Sequence, residues 1–300
     1  ACHGPDANQR QAELRMDLAN DHLTTLLSPT RPATSEFIRR IVSQDEDQVM
    51  PPPSSKKILT DAQIEILTRW VKQGAKYDGH WAWEAPAKTE LPRIRKKKWA
   101  LNEIDYFVKS ELDKHGLVPS SPASKLTLIR RVSLDLRGLP PTLAEVDQFL
   151  NDDSEHAYAL MIQRMMDSVH YGERMAQDWL DLARYGDTNG YHADSDRAMW
   201  LYRDYVINAF NNNKPYNQFI IENVAGDLLP NANDETRIAS GFNRNVTFNE
   251  EGGADPDEFY VAYAVDRANT TGQVFLGMTF GCAQCHDHKY DPISQREYYQ

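Results

Sequence analysis

The sequence contains little cysteine. Three cysteines stand among 300 residues, and an odd number this small does not build a disulfide framework. Cys282 and Cys285 lie three positions apart, and the third cysteine, Cys2, is followed directly by a histidine. This clustering indicates motifs that bind a cofactor or a metal rather than structural cross-links.

The sequence also lacks an excess of basic residues and any long apolar run. Its net charge is -11, whereas nucleic-acid-binding domains normally carry a basic face, so we expect no nucleic-acid partner. The one basic cluster, residues 93–99, is short and is interpreted as a solvated linker. No apolar stretch approaches the roughly 20 residues of a membrane-spanning helix, so we expect no transmembrane segment in this sequence.

Alternating patterns typical of β-strands are almost absent, and helical periodicity predominates. The clearest helix is predicted between a capping box, formed by Thr60 and Gln63, and the terminating Gly74. Further helices are predicted near residues 102–116, 124–138, 155–168, 170–184, 199–212, 234–242 and 255–280, with another starting at the capping box of Thr142 and Glu145. The sequence therefore predicts an all-α fold.

A change of pattern divides the chain. Residues 76–99 are aperiodic and carry two prolines, which is typical of a domain boundary. We predict a first module over 1–78, a linker over 79–100 and a larger helical domain over 101–300. The chain starts without methionine or a signal peptide, and it ends just after a capping box that begins at Ser294. We therefore expect it to be a piece of a longer protein.

The stretch "GCAQCH" contains the attachment signature of c-type haem, Cys-x-x-Cys-His. Two thiols about one helical turn apart can bond to the two vinyl groups on one edge of a porphyrin. A histidine directly after the second thiol can then ligate the iron. The motif predicts one haem c in this part of the chain, attached through Cys282 and Cys285 and ligated by His286.

Two other uses of the same residues remain open. Cys282, Cys285, His286 and His288 are together a plausible Cys2His2 set for structural zinc, although these histidines lie too close to the thiols for easy tetrahedral closure. The two thiols could also form a redox pair, although such pairs usually occur in a βαβ context that this sequence lacks.

The N-terminal Cys2 and His3 match the end of the same motif, whose first cysteine would lie two residues upstream of Ala1. If that cysteine is present in the longer protein, we expect a second haem here, with His3 as an iron ligand. Met50 lies in a proline-rich loop just before a predicted helix. This is a position where small cytochromes commonly place the second axial ligand, and the alternative is a packing role.

At its N-terminus the sequence resembles the planctomycete cytochrome C domain, through "CHGPD", "LRMDL", "SEFIRRIVSQDEDQVMPP" and "LTDAQIEILTRWVKQGA". The remainder resembles the cytochrome-associated domain of unknown function of large secreted planctomycete proteins, through "IRRVSLDLRGLPPTLAEVDQFL", "WLDLARYGDTNGY" and "TTGQVFLGMTFGCAQCHDHKYDPISQREYY". The resemblance implies a cytochrome-c-like helical module followed by a larger mainly helical domain. It implies haem attachment at Cys282, Cys285 and His286, and partly at Cys2 and His3, and a further C-terminal domain of the same chain.

Other polar clusters have ambiguous roles. Glu250 and Glu251 could act as an acid-base pair, or they could belong to a turn before a helix. The loop from Asp187 to Asp196 has the composition of a calcium loop but not the spacing of an EF-hand. His192, in the same loop, is the best histidine candidate for the sixth ligand of the haem at residues 282–286.

Together these observations predict a c-type haem protein that transfers electrons with a redox partner protein in the periplasm or outside the cell. Attachment of haem c takes place outside the cytoplasm, which is why we predict this location. The alternatives are a peroxidase-like haem enzyme, a polymer-degrading enzyme with cytochrome accessory domains, and a zinc-stabilised binding module.

Overall fold

The structure is a computed structural model, and it describes residues 3–4, 10–77 and 84–300. In these ranges the secondary structure is helical, and the only strand-like pairing is an isolated antiparallel bridge between Thr188 and Asp196. The prediction of an all-α fold is therefore confirmed.

Thirteen α-helices lie in the described ranges. They are α1 (Asp21–Leu27), α2 (Glu36–Ile41), α3 (Asp61–Lys72), α4 (Glu103–Lys114), α5 (Lys125–Arg137), α6 (Leu143–Leu150), α7 (Ala157–Met166), α8 (Val169–Leu182), α9 (Trp200–Asn211), α10 (Tyr216–Ala225), α11 (Asp234–Ala239), α12 (Pro256–Leu276) and α13 (Gln295–Tyr298).

Packing divides the chain into two compact units. The first unit contains Ala1–Lys88 together with Phe280–Gln300, and the second contains Thr89–Thr279. The last 21 residues, including the Cys-x-x-Cys-His motif, therefore pack with the N-terminal part of the chain. The predicted domain boundaries, with a module over 1–78, a linker over 79–100 and a domain over 101–300, remain a prediction.

The first unit is built on α1, α2 and α3. Asn20 and Ser35 cap the first two helices, and Thr60 forms the predicted capping box with Gln63 at the third. Each cap satisfies a backbone N–H that the first helical turn leaves without a partner. The helices enclose an apolar core made of Leu23, Leu27, Phe37, Ile41, Val71 and Ala75.

The second unit is centred on the pair α8 and α9, which pack closely because α8 carries a glycine where the two helices meet. A Cβ on Gly172 would lie 2.4 Å from the Ile207 carbonyl oxygen, and the Gly172 N–H donates to Asn211 Oδ1 at 2.8 Å. A larger side chain would force the helices apart. The core around them contains Ala176, Trp179, Tyr202, Tyr205, Val206, Phe219 and Phe242.

A chain of buried hydrogen bonds crosses this core. Trp179 Nε1 donates to the Tyr202 hydroxyl at 2.9 Å, and that hydroxyl donates to Asn223 Oδ1 at 2.8 Å. Asn223 Nδ2 in turn donates to the Phe219 carbonyl oxygen at 2.8 Å. Because each polar group has a partner, the aromatic core can hold them without an unpaired buried donor or acceptor.

A second, smaller core lies between α5, α6 and α7, around Ile129, Phe149 and Met161. The predicted capping box of Thr142 and Glu145 starts α6. The Glu145 carboxylate also accepts two hydrogen bonds from Arg137, at 2.7 and 3.0 Å. These bonds, led by those from Arg137, lower the pKa of Glu145 to about 2, so α5 and α6 are held together by an ion pair throughout the neutral range.

Candidate functional site

The Cys-x-x-Cys-His motif lies on a single tight turn. A 3-10 helix runs over Phe280–Gln284, and Cys285 follows it directly. In a 3-10 helix, side chains three positions apart lie one above the other, so the turn brings the two thiols to the same side. Cys282 and Cys285 are both exposed and neither forms a disulfide.

The turn is anchored by the one spacer residue that points inward. Ala283, between the two cysteines, is fully buried. The Phe280 ring packs against the Tyr298 ring, with centroids 6.2 Å apart. The apolar contacts of the turn therefore lie on the side opposite the thiols, and the thiols are left at the surface.

The backbone of the turn is tied to α13 and the residue after it. The Gln284 carbonyl oxygen accepts two hydrogen bonds, from Gln295 Nε2 at 3.0 Å and from the Tyr299 hydroxyl at 3.0 Å. The Gln295 N–H donates to Asp287 Oδ1 at 2.9 Å. These three hydrogen bonds, from α13 (the closing helix) and from Tyr299 directly after it, hold the backbone before Cys285 and after His286.

The closing helix depends on its own capping box. The Ser294 N–H donates to Glu297 Oε2 at 2.8 Å, and the Glu297 N–H donates back to Ser294 Oγ at 3.2 Å. This bond from the Ser294 backbone is the main cause that lowers the pKa of Glu297. The capping box predicted from the sequence is therefore confirmed, and it holds the short helix that anchors the motif.

The His286 imidazole has one nitrogen engaged and one available. Its Nδ1 lies 2.8 Å from the Asp287 carbonyl oxygen. Because a carbonyl oxygen can only accept, Nδ1 must carry the proton in this hydrogen bond. The lone pair is then on Nε2, which is the arrangement that histidine ligands of metals adopt.

His288 is oriented differently from His286. Only 3% of its surface is exposed, and its Nδ1 accepts the Asp291 N–H at 2.8 Å and the Tyr290 N–H at 3.3 Å. The backbone N–H of His288 donates to the Ile293 carbonyl oxygen at 2.8 Å. His288 therefore stabilises the loop between the motif and the closing helix.

The zinc alternative requires the two thiols and the two histidines to converge. Over residues 3–4, 10–77 and 84–300, no group of three or more His, Cys, Asp or Glu side chains is arranged to hold a metal ion. The inward orientation of His288 and the outward position of the thiols account for this. The arrangement gives no support to a zinc site at the motif.

The N-terminal half-motif repeats the histidine arrangement. His3 Nδ1 lies 3.1 Å from the Gln11 carbonyl oxygen, and the His3 carbonyl oxygen accepts the Met16 N–H at 3.0 Å. By the same reasoning Nδ1 donates, and Nε2 carries the lone pair. Cys2 lies outside the described residues.

Met50 lies half-buried in the loop before α3, where its N–H donates to the Arg40 carbonyl oxygen at 3.0 Å. This bond attaches the proline-rich loop to the end of α2. The Met50 position is consistent with either of the roles predicted for it, and its role as an iron ligand stays a prediction.

His192 belongs to the second unit and is exposed. Its N–H donates to Glu251 Oε1 at 3.1 Å, and the nearby Asp194 Oδ1 accepts the Gly190 N–H at 2.8 Å. Hydrogen bonding, first by Thr188 and then by the Gly190 backbone, lowers the pKa of Asp194. These carboxylates stabilise the loop backbone, and in the described part of the chain they form no cation cluster.

Comparison with protein families matches residues 103–300 to the family described as "Protein of unknown function (DUF1549)". The chain belongs to this family. Residues 1–54 match the family described as "Planctomycete cytochrome C". The resemblance to both domains, predicted from the sequence motifs, is therefore confirmed. Nothing among curated proteins or solved structures matches the chain.

The DUF1549 match includes the Cys-x-x-Cys-His motif, although the motif packs in the same compact unit as the cytochrome C segment. The cytochrome C match establishes that the N-terminal part is c-type cytochrome-like. Within the residues that the structure describes, no helix is both long enough and apolar enough to cross a membrane.

Sequence reasoning missed the side chains that hold the motif in place. Ala283 looks like a neutral spacer, and Asp287, Gln295 and Tyr299 look like ordinary polar residues near the end of the chain. Only the capping box at Ser294 indicated that a helix would close behind the motif. The bonds from this helix to the turn span up to 15 positions, so local patterns do not predict them.

We predict that Cys282 and Cys285 are both chemically accessible in the folded, haem-free protein, because both are exposed and unpaired. Protein made without haem maturation and kept reduced should be alkylated by iodoacetamide at both positions under native conditions. Peptide mass mapping before and after denaturation measures the extent. Protection of either thiol until the protein is denatured would contradict the outward position of the turn.

Proposed function

We propose that this chain is a c-type haem protein that carries electrons outside the cytoplasm. The observation that supports this most directly is the turn at residues 280–286. It exposes two thiols on one side of a 3-10 helix and places next to them a histidine whose Nε2 lone pair is available. These are the groups that attach and ligate haem c.

The residues present fit this cofactor. Cys282 and Cys285 would hold it through thioether bonds, and His286 would ligate the iron through Nε2. The Asp287 carbonyl oxygen, as acceptor from Nδ1, fixes the tautomer and raises the basicity of the ligating nitrogen. Haem c supplies reversible one-electron chemistry when bound, with a potential set by its axial ligands and its surroundings.

We propose that the first unit carries two haem sites when its N-terminal motif is complete. His3 and His286 belong to the same compact unit and share the same engagement of Nδ1 by a backbone carbonyl. The two parts of the unit also interact electrostatically: the pKa of Arg15 is raised first by its bond to Asp17, and Asp287 adds to the effect. Two sites in one small unit would form an electron relay.

Two further residues are predicted to ligate the two irons. Met50, in the loop after α2, is proposed as the second ligand of the N-terminal iron, where a thioether would raise the reduction potential. His192, which the sequence analysis predicts as the sixth ligand of the second iron, belongs to the second unit, and its role as a ligand stays a prediction that substitution tests.

The proposed location is the periplasm or the extracellular space, because c-type attachment takes place there. The proposed partner is a soluble or membrane-associated redox protein that exchanges electrons with the exposed motif face. A filled sixth position would suit this role, since it leaves the iron no place for a small ligand.

The decisive experiment tests whether haem is covalently attached to the chain. The chain expressed with haem-c maturation machinery should carry haem that survives denaturation, seen as added intact mass and as a haem-stained band after denaturing electrophoresis. Cys282→Ala with Cys285→Ala should remove the haem that this motif holds, because no thiol remains there to bond the porphyrin.

Gln284→Ala is the matched control for that double variant. Gln284 lies between the two cysteines, is exposed and contributes its backbone carbonyl rather than its side chain to the anchoring bonds. It should retain haem at the parental level. Intact mass equal to the bare polypeptide after proper maturation would refute the proposal, and so would unchanged haem content in the double variant.

The axial ligands are tested by spectroscopy and potentiometry on a chain extended upstream so that both motifs are complete. Met50→Leu should abolish a near-infrared sulfur-to-iron band and lower the potential of one haem. Met16→Leu, which alters a partly buried methionine packed against the core of the same unit, should leave the band and both potentials unchanged. His192→Ala should convert the second iron from low-spin to high-spin and speed its binding of cyanide. Variants that leave the spectra and potentials unaltered would exclude these residues as ligands.

A further inference from the structure

Arg184 lies just after the end of α8. Its φ is 59°, in the left-handed region that follows many helices and that glycine normally fills. Nine other non-glycine residues in the described part of the chain also have a positive φ, so the conformation matters here because it allows a glycine substitution that removes the guanidinium.

The Arg184 guanidinium is only partly satisfied. Its Nη1 pairs with the Asp266 carboxylate of α12. Its Nε and Nη2 are buried and have no hydrogen-bond partner among the residues that the structure describes. Two buried donor nitrogens of a charged side chain without acceptors are costly, and a ligand or water would complete them.

Two further arginines arrange the backbone around this point. Arg197 donates from Nε to the Gly186 carbonyl oxygen at 3.1 Å and from Nη1 to the Val246 carbonyl oxygen at 2.7 Å. Arg197 therefore joins the segment that follows Arg184 to the loop that precedes α12.

Arg267 holds the same loop from the other side. It lies next to Asp266 on α12, and its Nε donates to the Asn243 carbonyl oxygen at 3.0 Å. The loop from Asn243 to Val246 is thus fixed between two cationic side chains, and Asp266 connects α12 to Arg184.

Asn245, at the centre of this loop, is fully buried, and neither Oδ1 nor Nδ2 of its side chain has a hydrogen-bond partner among the described residues. Its backbone carbonyl oxygen accepts from Arg197 Nη2 at 3.3 Å. This buried amide is a second observation, independent of Arg184, that indicates a binding site for a polar group from outside the chain.

The charges in the cluster leave a cationic excess. Arg184, Arg197 and Arg267 contribute three positive charges, and Asp266 and Asp187 are the carboxylates that interact with them. Burial first, and then the positive charges of Arg267 and Arg197, lower the pKa of Arg184. An anion would relieve this repulsion, and arginine is the side chain best suited to bind carboxylate, phosphate or sulfate oxygens.

We propose that the cluster of Arg184, Arg197, Arg267 and Asn245 binds an oxyanion, either a small inorganic ion or the acidic group of a small molecule. Arg184 Nε and Nη2 donate to its oxygens, and Asn245 Nδ2 supplies a neutral donor. The proposal concerns the second unit alone and is independent of the haem sites.

A cleft of about 470 Å³ lies beside the backbone of two cluster residues, because its lining includes Ala198 and Arg244, the chain neighbours of Arg197 and Asn245. Arg237 and Asp234 also line it and form an ion pair at 3.7 Å, so with Arg244 the charged side chains of the lining carry one net positive charge. A lining with a net positive charge attracts an anion from solvent.

The test is calorimetric titration of the whole protein with sulfate, phosphate and acetate, each at constant ionic strength with chloride as the balancing anion. Saturable binding of sulfate or phosphate is expected for a tetrahedral oxyanion site, and saturable binding of acetate alone for a carboxylate site. Either result supports the proposal. The absence of saturable binding by all three ions would overturn it.

Arg184→Gly is the critical variant. It removes the guanidinium at a left-handed position that favours glycine, so the fold should be retained. Loss of two charge-assisted hydrogen bonds should weaken the binding of the responsive anion by about tenfold or more. Arg131→Ala, which alters an exposed arginine of α5 in the same unit, should bind as the parent does.

Asn245→Asp is a second, independent variant of almost identical volume. The new carboxylate would be buried at a position where no guanidinium donates to Asn245 Oδ1, so the melting temperature should fall, while like-charge repulsion should weaken anion binding by at least about tenfold. Unchanged anion affinity in Arg184→Gly, or in Asn245→Asp, would overturn the proposal.

Discussion

The candidate site depends on one turn of backbone in which some groups are buried and hydrogen-bonded while the thiols and the imidazole are exposed. A turn can present two thiols and an imidazole to solvent only if its remaining groups hold it in place. Here Ala283 is the buried anchor, and the Gln284 carbonyl oxygen and the Asp287 carboxylate receive the bonds of the closing helix. The chemistry of the motif faces outward because the packing contacts face inward.

In the second unit, by contrast, several polar side chains are buried in the core. The bonds from Trp179 through Tyr202 to Asn223 are complete, and each contributes about 1 kcal/mol to stability. The arginine cluster around Asn245 is incomplete by comparison. Satisfied buried groups define the scaffold of the unit, whereas the unpaired groups of Arg184 and Asn245 are those that the proposed oxyanion would complete.

Helices and their ends could be predicted from the sequence because local rules decide them. The capping boxes at Thr60, Thr142 and Ser294 and the left-handed glycine after α5 all occur where the residue pattern predicts them. Helices α1, α2 and α10 were not predicted. The first two are only seven and six residues long, and α10 has a weakly periodic apolar face and no side-chain cap in its first turn.

Long-range packing could not be predicted in the same way. The return of residues 280–300 to the N-terminal unit, and the bonds from Tyr299 to the motif, depend on contacts between distant segments. The arginine cluster gave no signal, because Arg184, Asn245 and Arg267 are spread over more than 80 positions of a chain rich in charged residues. The haem motif was recognisable because covalent attachment chemistry requires a fixed local spacing.

The central claim is that the turn at residues 280–286 holds haem c through its own two thiols. Trypsin cleavage after Arg267 and Lys289 releases both thiols on one peptide, residues 268–289. After expression with haem-c maturation, mass spectrometry should find this peptide with the mass of one haem added and no free thiol. Recovery of the bare peptide with two alkylatable cysteines, from protein in which the maturation machinery was active, would contradict the account.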